Sequence, residues 1–138
     1  MTYKVFREVA GRGYGELRSA PVQLADPVTI DALAVGETTI FTTPAGVVVV
    51  VTAVEIRCLS ATAITAPAQA GVGVAAGADD IFAQQLMAGL TAADSVWRFP
   101  TGGAAPTVPG STAIKFGVDV AAVGTAQSLE VSLFGYAA

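Results

Sequence analysis

The chain has 138 residues, with seven Lys and Arg, eleven Asp and Glu, no His and a formal net charge of −4. This length fits one domain. The missing histidine excludes Ser-His-Asp and Cys-His catalytic arrangements and His-ligated metal sites. The single cysteine, Cys58, excludes an intrachain disulfide. We therefore expect no enzymatic activity, no metal site and no cofactor.

Charged residues make up only 13% of the chain and hydrophobic residues 53%, whereas an average soluble domain has about 25% charged residues. Such a chain can build a core, but it has little charge with which to cover the surface of a lone globule. We therefore expect a partner to cover part of its surface. The acidic net charge argues against nucleic acid as that partner.

The sequence predicts neither a membrane span nor a secretory signal. Its most apolar run, Ala45–Val54, is about half of the ~20 residues that a membrane-spanning helix needs, and Glu55 and Arg57 follow at once. The first residues lack the apolar stretch of a signal peptide. We expect the protein to be made and folded in a cytosol and to have no membrane partner.

Residues 1–27 differ from the rest of the chain and are predicted to form an extended N-terminal arm in front of a body at residues 28–138. The arm has no sustained hydrophobic period, contains three closely spaced glycines, and ends with Pro21 and Pro27. Its first 18 residues hold four basic and two acidic side chains, a sum of +2, whereas the other 120 residues hold three basic and nine acidic ones, a sum of −6. A frayed terminus or a first edge strand is the alternative.

Aromatic and basic residues alternate irregularly along this arm. Both types are the usual anchors of protein interfaces, so we predict that the arm contacts a partner; incidental aromatics in a solvated tail are the alternative. The predicted contact residues are Tyr3, Lys4, Phe6, Arg7, Arg12, Tyr14 and Arg18.

From Val28 onward, short apolar runs separated by Gly and Pro turns predict an all-β body. About eight segments at this spacing are typical of a β-sandwich or jelly roll, with a small up-and-down barrel as the alternative. The predicted strands are Val28–Leu33, Thr38–Thr42, Val47–Ser60, Val72–Ala76, Ser95–Phe99, Thr112–Val120 and Ser128–Phe134, and the last two show the clearest alternation.

Alternation of apolar and polar residues predicts which side chains enter the core. The inward side chains are predicted to be Val54, Ile56 and Cys58 in the longest run, Ile114, Phe116, Val118 and Val120 in the next-to-last strand, and Leu129, Val131 and Leu133 in the last. Cys58 is therefore predicted to be a packed, inert thiol.

Two segments are less regular. Residues 79–89 are predicted to form a short helix with Asp79 as its N-cap, Ile81, Phe82 and Leu86 as its apolar stripe and Gly89 as its terminator; a loop that enters a strand is the alternative. Pro100–Gly110 is rich in Gly and Pro and is predicted to be an exposed loop.

Other possible sites have simpler structural interpretations. Asp79 and Asp80 lack the further carboxylates that Ca²⁺ prefers, so a capping role is favoured. The glycine-rich stretches at 11–15 and 71–77 lack the sequence context of phosphate- or dinucleotide-binding loops. Trp97, beside Arg98, is predicted to anchor the core or an interface, with stacking on a sugar ring as the alternative.

Residues 40–136 have a common texture of Ala-, Val-, Thr- and Gly-rich strands with few charges. The segments that carry it are Val47–Thr52, Val54–Leu59, Gly71–Ile81, Val96–Phe99 and Val131–Tyr136, with its closing Leu-Phe-Gly-Tyr. In this texture the chain resembles small β-sandwich structural proteins of tailed bacteriophages, which decorate capsids, form head spikes or belong to tail fibres. The resemblance implies a trimeric assembly and, as in some members, a terminal arm that grips the shell.

From these observations together we expect a non-enzymatic virion structural protein, assembled in the cytoplasm of a bacterial host. Its expected role is that of a capsid decoration or cement protein. We expect its arm to bind the major capsid protein, and we expect sister copies of the chain to associate as a homotrimer. A receptor- or carbohydrate-binding module of a spike or tail fibre is the alternative, with Trp97 and the loop Thr101–Gly110 as its site. A tail-tube or connector subunit is a third possibility.

Overall fold

The structure, a computed structural model, describes residues 22–99 and 106–138. Within these ranges the regular structure is entirely β, with ten strands and no helix, so the predicted all-β class is confirmed. No helix of the length and hydrophobicity of a membrane span occurs in this part of the chain. The strands are β1 (Val22–Gln23), β2 (Val28–Asp31), β3 (Gly36–Thr42), β4 (Val49–Thr62), β5 (Gln69–Gly73), β6 (Phe82–Leu86), β7 (Val96–Phe99), β8 (Thr107–Val108), β9 (Ala113–Val120) and β10 (Ala126–Ala137).

The strands form two antiparallel sheets, which face each other across one apolar core, as the predicted sandwich requires. Sheet A has the order β1-β10-β4-β7, with β2 also paired to β10 and β8 also paired to β4. Sheet B has the order β3-β9-β5-β6. Consequently β2 and β3, which follow each other along the chain, are end strands of opposite sheets.

The two longest strands, β4 with 14 residues and β10 with 12, pair along their full lengths at the centre of sheet A. The first part of β4 is buried on both faces, and its second part alternates as predicted, with Val54, Ile56 and Cys58 fully buried and Arg57 exposed. Leu129, Val131 and Leu133 of β10 are buried in the same way. Hydrophobic patterning therefore predicted both the position and the orientation of these strands.

In β9 the predicted orientation is right for three residues and wrong for the fourth. Ile114, Phe116 and Val118 enter the core, but Val120 is 51% exposed. The cause is a change of register against β5: Ala70 is opposite Val118, whereas the preceding Gln69 is opposite Val120. The extra residue on β9 changes the phase of the strand, as a β-bulge does, so alternation fails at its end.

The predicted helix at residues 79–89 is wrong, because this segment contains β6. Phe82 lies opposite Val72, and Leu86 lies opposite Gln69 of β5. The edge of β5 gains a hydrogen-bonded partner, which a helix would not provide. Leu86 of the supposed apolar stripe is 55% exposed.

The predicted loop Pro100–Gly110 also needs correction in its described part, residues 106–110. Thr107 and Val108 form β8, which pairs with Val50 and Val49 of β4. Val108 is buried. Val108 is buried because the edge of β4 offers hydrogen bonds to this segment. The pairing covers only two residues of β8, which is too short to produce a hydrophobic period in the sequence.

The sandwich begins before residue 28, where the predicted body starts. Val22 and Gln23 form β1 beside β10, and the N–H of Leu24 donates to the carbonyl oxygen of Leu133 at 2.9 Å. The Leu24 side chain is fully buried. Residues 22–27, predicted as the end of the arm, thus contribute to sheet A and to the core, and residues 1–21 lie outside the described residues.

An aromatic cluster fills the core between β6, β7 and β9. The Phe99 ring stacks on Phe82 at a centroid distance of 5.4 Å and an interplanar angle of 11°. It meets Phe116 edge-on at 6.4 Å and Trp97 edge-on at 4.7 Å. Phe99 and Phe116 are fully buried, so Phe99 joins the inner faces of both sheets.

The loop between β5 and β6 folds over the outer face of sheet B. Asp80 holds its start, since one carboxylate oxygen accepts hydrogen bonds from the N–H groups of Val74 at 2.8 Å and Ala75 at 3.3 Å. Asp80 therefore organises a loop, whereas the sequence suggested capping of a helix at this acidic pair. Ala78 in the same loop is fully buried against sheet B, where Gly117 leaves room for its methyl group.

We expect Asp80→Ala to lower the free energy of unfolding by about 1–2 kcal/mol, because two backbone N–H groups lose their acceptor. The matched control is Asp79→Ala, which removes an exposed carboxylate one residue away and should change stability by less than about 0.5 kcal/mol. Urea unfolding of both variants measures the difference. Equal midpoints for the two variants would show that the Asp80 hydrogen bonds do not stabilise the loop.

Candidate interaction surface

The predicted contact residues of the arm lie outside the described residues. They are Tyr3, Lys4, Phe6, Arg7, Arg12, Tyr14 and Arg18. Their role as a binding element therefore stays a prediction. The structure does describe the point at which this segment joins the body, at β1 beside Gly135 of β10.

The other predicted anchors, Trp97 and Arg98, lie next to each other on edge strand β7. Trp97 lies opposite Ile56 and packs half-buried against Phe99. Arg98 is exposed and lies opposite Glu55. Because neighbouring strand residues point to opposite faces, the two side chains do not form one site, and Trp97 belongs to the margin of the core.

A different surface feature lies where the chain crosses from one sheet to the other. The end strands β2 and β3 run along the two sides of an open groove of about 290 Å³, which we call the seam. Among the described residues, β2 pairs only with β10 and β3 only with β9, so each presents one edge without a strand partner. The seam is lined by Thr29, Ile30, Asp31, Ala34, Val35, Gly36, Glu37 and Thr38.

The walls of the seam combine apolar and acidic groups. Val35 is 66% exposed, and Gly36 through Thr39 are exposed as well. Asp31 and Glu37 are the charged residues among the described residues that line it. A second groove of about 170 Å³ continues from Val35 and Glu37 across β9 toward Gln84 of β6 and adds Asp119. The seam therefore suits an occupant with apolar and cationic side chains.

Both seam carboxylates also have structural contacts. Asp31 accepts a hydrogen bond from the N–H of Leu33 at 2.9 Å and so holds the turn that leads to β3. Glu37 accepts one from the N–H of Gly77 at 2.8 Å and lies 3.6 Å from the Lys115 ammonium. These contacts fix the two carboxylates in position while each remains accessible to solvent.

Further large aliphatic side chains are exposed at several places on the sandwich. On sheet B, Leu86 and Val120 both lie opposite Gln69 and therefore flank it in one row across three strands. The large aliphatic residues with exposed side chains, over both sheets and their loops, are Val35, Val48, Leu86, Val96, Val120 and Val123. Single exposed aliphatics are ordinary on protein surfaces, but their number fits the expectation that partners cover part of this surface.

Sequence reasoning missed the seam and its residues Asp31, Val35 and Glu37. It treated Val35-Gly-Glu as a simple connection between two strands. The signal that could have found the seam is this connection: four residues without the Asn-Gly or Asp-Gly of a tight hairpin are compatible with a crossing between sheets. Which strands become end strands depends on long-range pairing, which no local pattern encodes.

The likenesses of this chain to known proteins are to solved structures. No protein-family model matches the chain, and no curated protein matches it. Among solved structures the chain is similar to a chain of the Cyanophage Pam1 capsid asymmetric unit, with 20% sequence identity over 85% of this chain and 90% of that chain and a TM-score of 0.42. A likeness of this degree carries no inference about the fold or role of the present chain.

Proposed function

We propose that this chain is a non-enzymatic structural protein of a phage virion, with capsid decoration or cementing as its role. The observation that carries the proposal is the surface of the sandwich: large aliphatic side chains are exposed on both sheets, in a chain with only 13% charged residues. Such a surface is suited to contacts with other protein subunits. The resemblance of residues 40–136 to phage β-sandwich proteins supplies the class of assembly.

In this proposal the N-terminal segment holds the protein on the shell. Its aromatic side chains Tyr3, Phe6 and Tyr14 would bury apolar area, and its arginines would pair with carboxylates of the major capsid protein, which orients the contact more than it adds net affinity. Many copies on one shell act together, so modest contacts suffice for stable attachment. The protein would then bridge neighbouring subunits and resist expansion of the shell by packaged DNA.

The test removes residues 1–21 and measures co-sedimentation with empty shells of the phage whose genome encodes the chain. The deletion stops before Val22 because β1 and the buried Leu24 belong to the sandwich. We expect at least a tenfold loss of bound protein, with an unchanged β-sheet circular dichroism spectrum. A full-length variant with Tyr3, Phe6 and Tyr14 replaced by Ala should lose binding similarly without any change to the body.

Shell binding by the deleted chain at full strength would show that the arm is not the attachment element. Absence of the intact protein from purified particles would overturn the virion role itself. The alternative role, a receptor- or carbohydrate-binding module, was predicted to use Trp97 as a stacking surface. The Trp97 ring is instead half-buried against Phe99, so the geometry favours the structural role.

A further inference from the structure

Three features of the seam together indicate a site for an added strand. The outer edges of β2 and β3 lack a strand partner among the described residues. Long exposed edges are rare in proteins that stay monomeric, because their free N–H and C=O groups recruit other strands. The seam also offers an apolar contact at Val35 and the carboxylates of Asp31 and Glu37, of which the second already contacts Gly77 and Lys115.

The same chain contains a segment with complementary chemistry. Residues 1–18 carry a side-chain sum of +2 and three aromatic residues, whereas residues 19–138 carry a sum of −6. Opposite charges on two surfaces accelerate their encounter and fix their relative orientation. The 21 residues before Val22 can span up to roughly 70 Å when extended, which is ample for reaching a neighbouring sandwich.

The direction of β1 favours a neighbouring copy over the same copy. β1 starts opposite Gly135 and runs toward the Ser128 end of β10, where Asp31 and the seam lie. The chain before Val22 therefore joins the sheet at the end away from the seam, about 23 Å along β10 at roughly 3.3 Å per residue. Docking in its own seam would require the segment to reverse direction over the body.

We propose that the seam of each copy binds the N-terminal segment, residues 1–21, of a second copy. The segment adds main-chain hydrogen bonds to the edge of β3, in the manner of β-augmentation. Its arginines pair with Asp31 and Glu37, and an aromatic side chain covers Val35. This inference goes beyond the proposed function, because it assigns the contact between copies. Any one arm makes one of the two contacts at a time: an arm that lies in a sister copy's seam is not bound to the shell.

A charge-swap experiment on the full-length protein tests the proposal. The arm variant carries Arg7→Glu and Arg12→Glu. The seam variant carries Asp31→Asn, Val35→Lys and Thr38→Lys, which leaves the Glu37 contacts intact and keeps an acceptor for the Leu33 N–H. A matched control makes the same kinds of change at exposed positions away from the seam, with Asp94→Asn, Ala93→Lys and Thr107→Lys. Size-exclusion chromatography with light scattering measures the mass of each protein and of their mixtures.

We expect the unmodified protein and the control to associate, and the arm and seam variants each to elute as monomers. Mixing the arm variant with the seam variant should restore association, because each acidic arm then meets a basic seam and each basic arm an acidic seam. Association of the unmodified protein should weaken at about 0.5 M salt, where exposed charges are screened.

Three results would overturn the proposal: a monomeric unmodified protein at about 100 μM, a seam variant that associates as well as the control, or a mixture that stays monomeric. Circular dichroism checks that the seam variant is folded. If it is not, the arm variant and its salt dependence still decide the outcome, since its substitutions lie outside the sandwich. Co-sedimentation of the seam variant with shells distinguishes failure of this proposal from failure of the virion role, because that variant has an unchanged arm.

Discussion

Phe99→Ala should destabilise the sandwich by about 3–5 kcal/mol, a large share of the 5–15 kcal/mol that holds a typical domain folded. The Phe99 ring is fully buried and contacts Phe82, Trp97 and Phe116. Truncation removes three aromatic contacts and leaves a cavity between the sheets, which backbone strands on both sides cannot close. Urea unfolding, followed by circular dichroism, should show the lower midpoint with a nearly unchanged slope.

The matched control for this prediction is Val96→Ala on the same strand. Val96 is 56% exposed, so its truncation should change the free energy of unfolding by no more than about 0.5 kcal/mol. We also expect Trp97→Ala to cost less than Phe99→Ala, because the indole is only half-buried. If Phe99→Ala and Val96→Ala unfold at the same urea concentration, the packing of the aromatic cluster between the two sheets does not stabilise the sandwich.

Hydrophobic alternation predicted the strands that bury one face in the core. It failed for segments that become strands because they form hydrogen bonds with the edge of another strand. Val54, Ile56 and Cys58 enter the core because strand residues two apart share a face, and the sequence displays that period directly. β6 and β8 form because β5 and β4 offer free hydrogen-bonding edges. The apolar spacing and flanking residues of the first segment also fit a helix, so it was predicted as one. The second segment is too short to show a period, so it was predicted as a loop.

The candidate surface was only partly accessible to sequence reasoning, for a related reason. Composition identified a basic, aromatic segment that suits a partner, because its charge differs in sign from the rest of the chain. It could not identify the seam. Asp31 and Glu37 line one groove only because β2 and β3 become end strands of opposite sheets, and that arrangement is set by long-range strand pairing.

Gly135→Ala tests the point at which the N-terminal segment joins the sandwich. The register of β10 against β4 shifts between Phe134 and Gly135. At this irregularity an added Cβ at position 135 would overlap the carbonyl oxygen of Val50 and lie 3.0 Å from the Cδ1 atom of Leu24. The Val50 carbonyl oxygen belongs to the backbone of β4 and cannot rotate away as a side chain could. The added methyl group therefore either separates β10 from β4 or strains the backbone of β10.

We expect Gly135→Ala to cost about 3 kcal/mol, at the upper end of what overpacking causes in a folded core. The control is Ser132→Ala, on the same strand and partly exposed, which should leave the unfolding midpoint within about 0.5 kcal/mol of the parent. Hydrogen exchange of the Leu24 amide measures the local effect, because this N–H donates to the carbonyl oxygen of Leu133 beside the substituted site. Its protection should fall more than that of the amides of β9 in sheet B. Unchanged protection at Leu24, together with an unchanged midpoint, would mean that β10 adapts at this bulge and that β1 is not fixed there by close packing against Gly135.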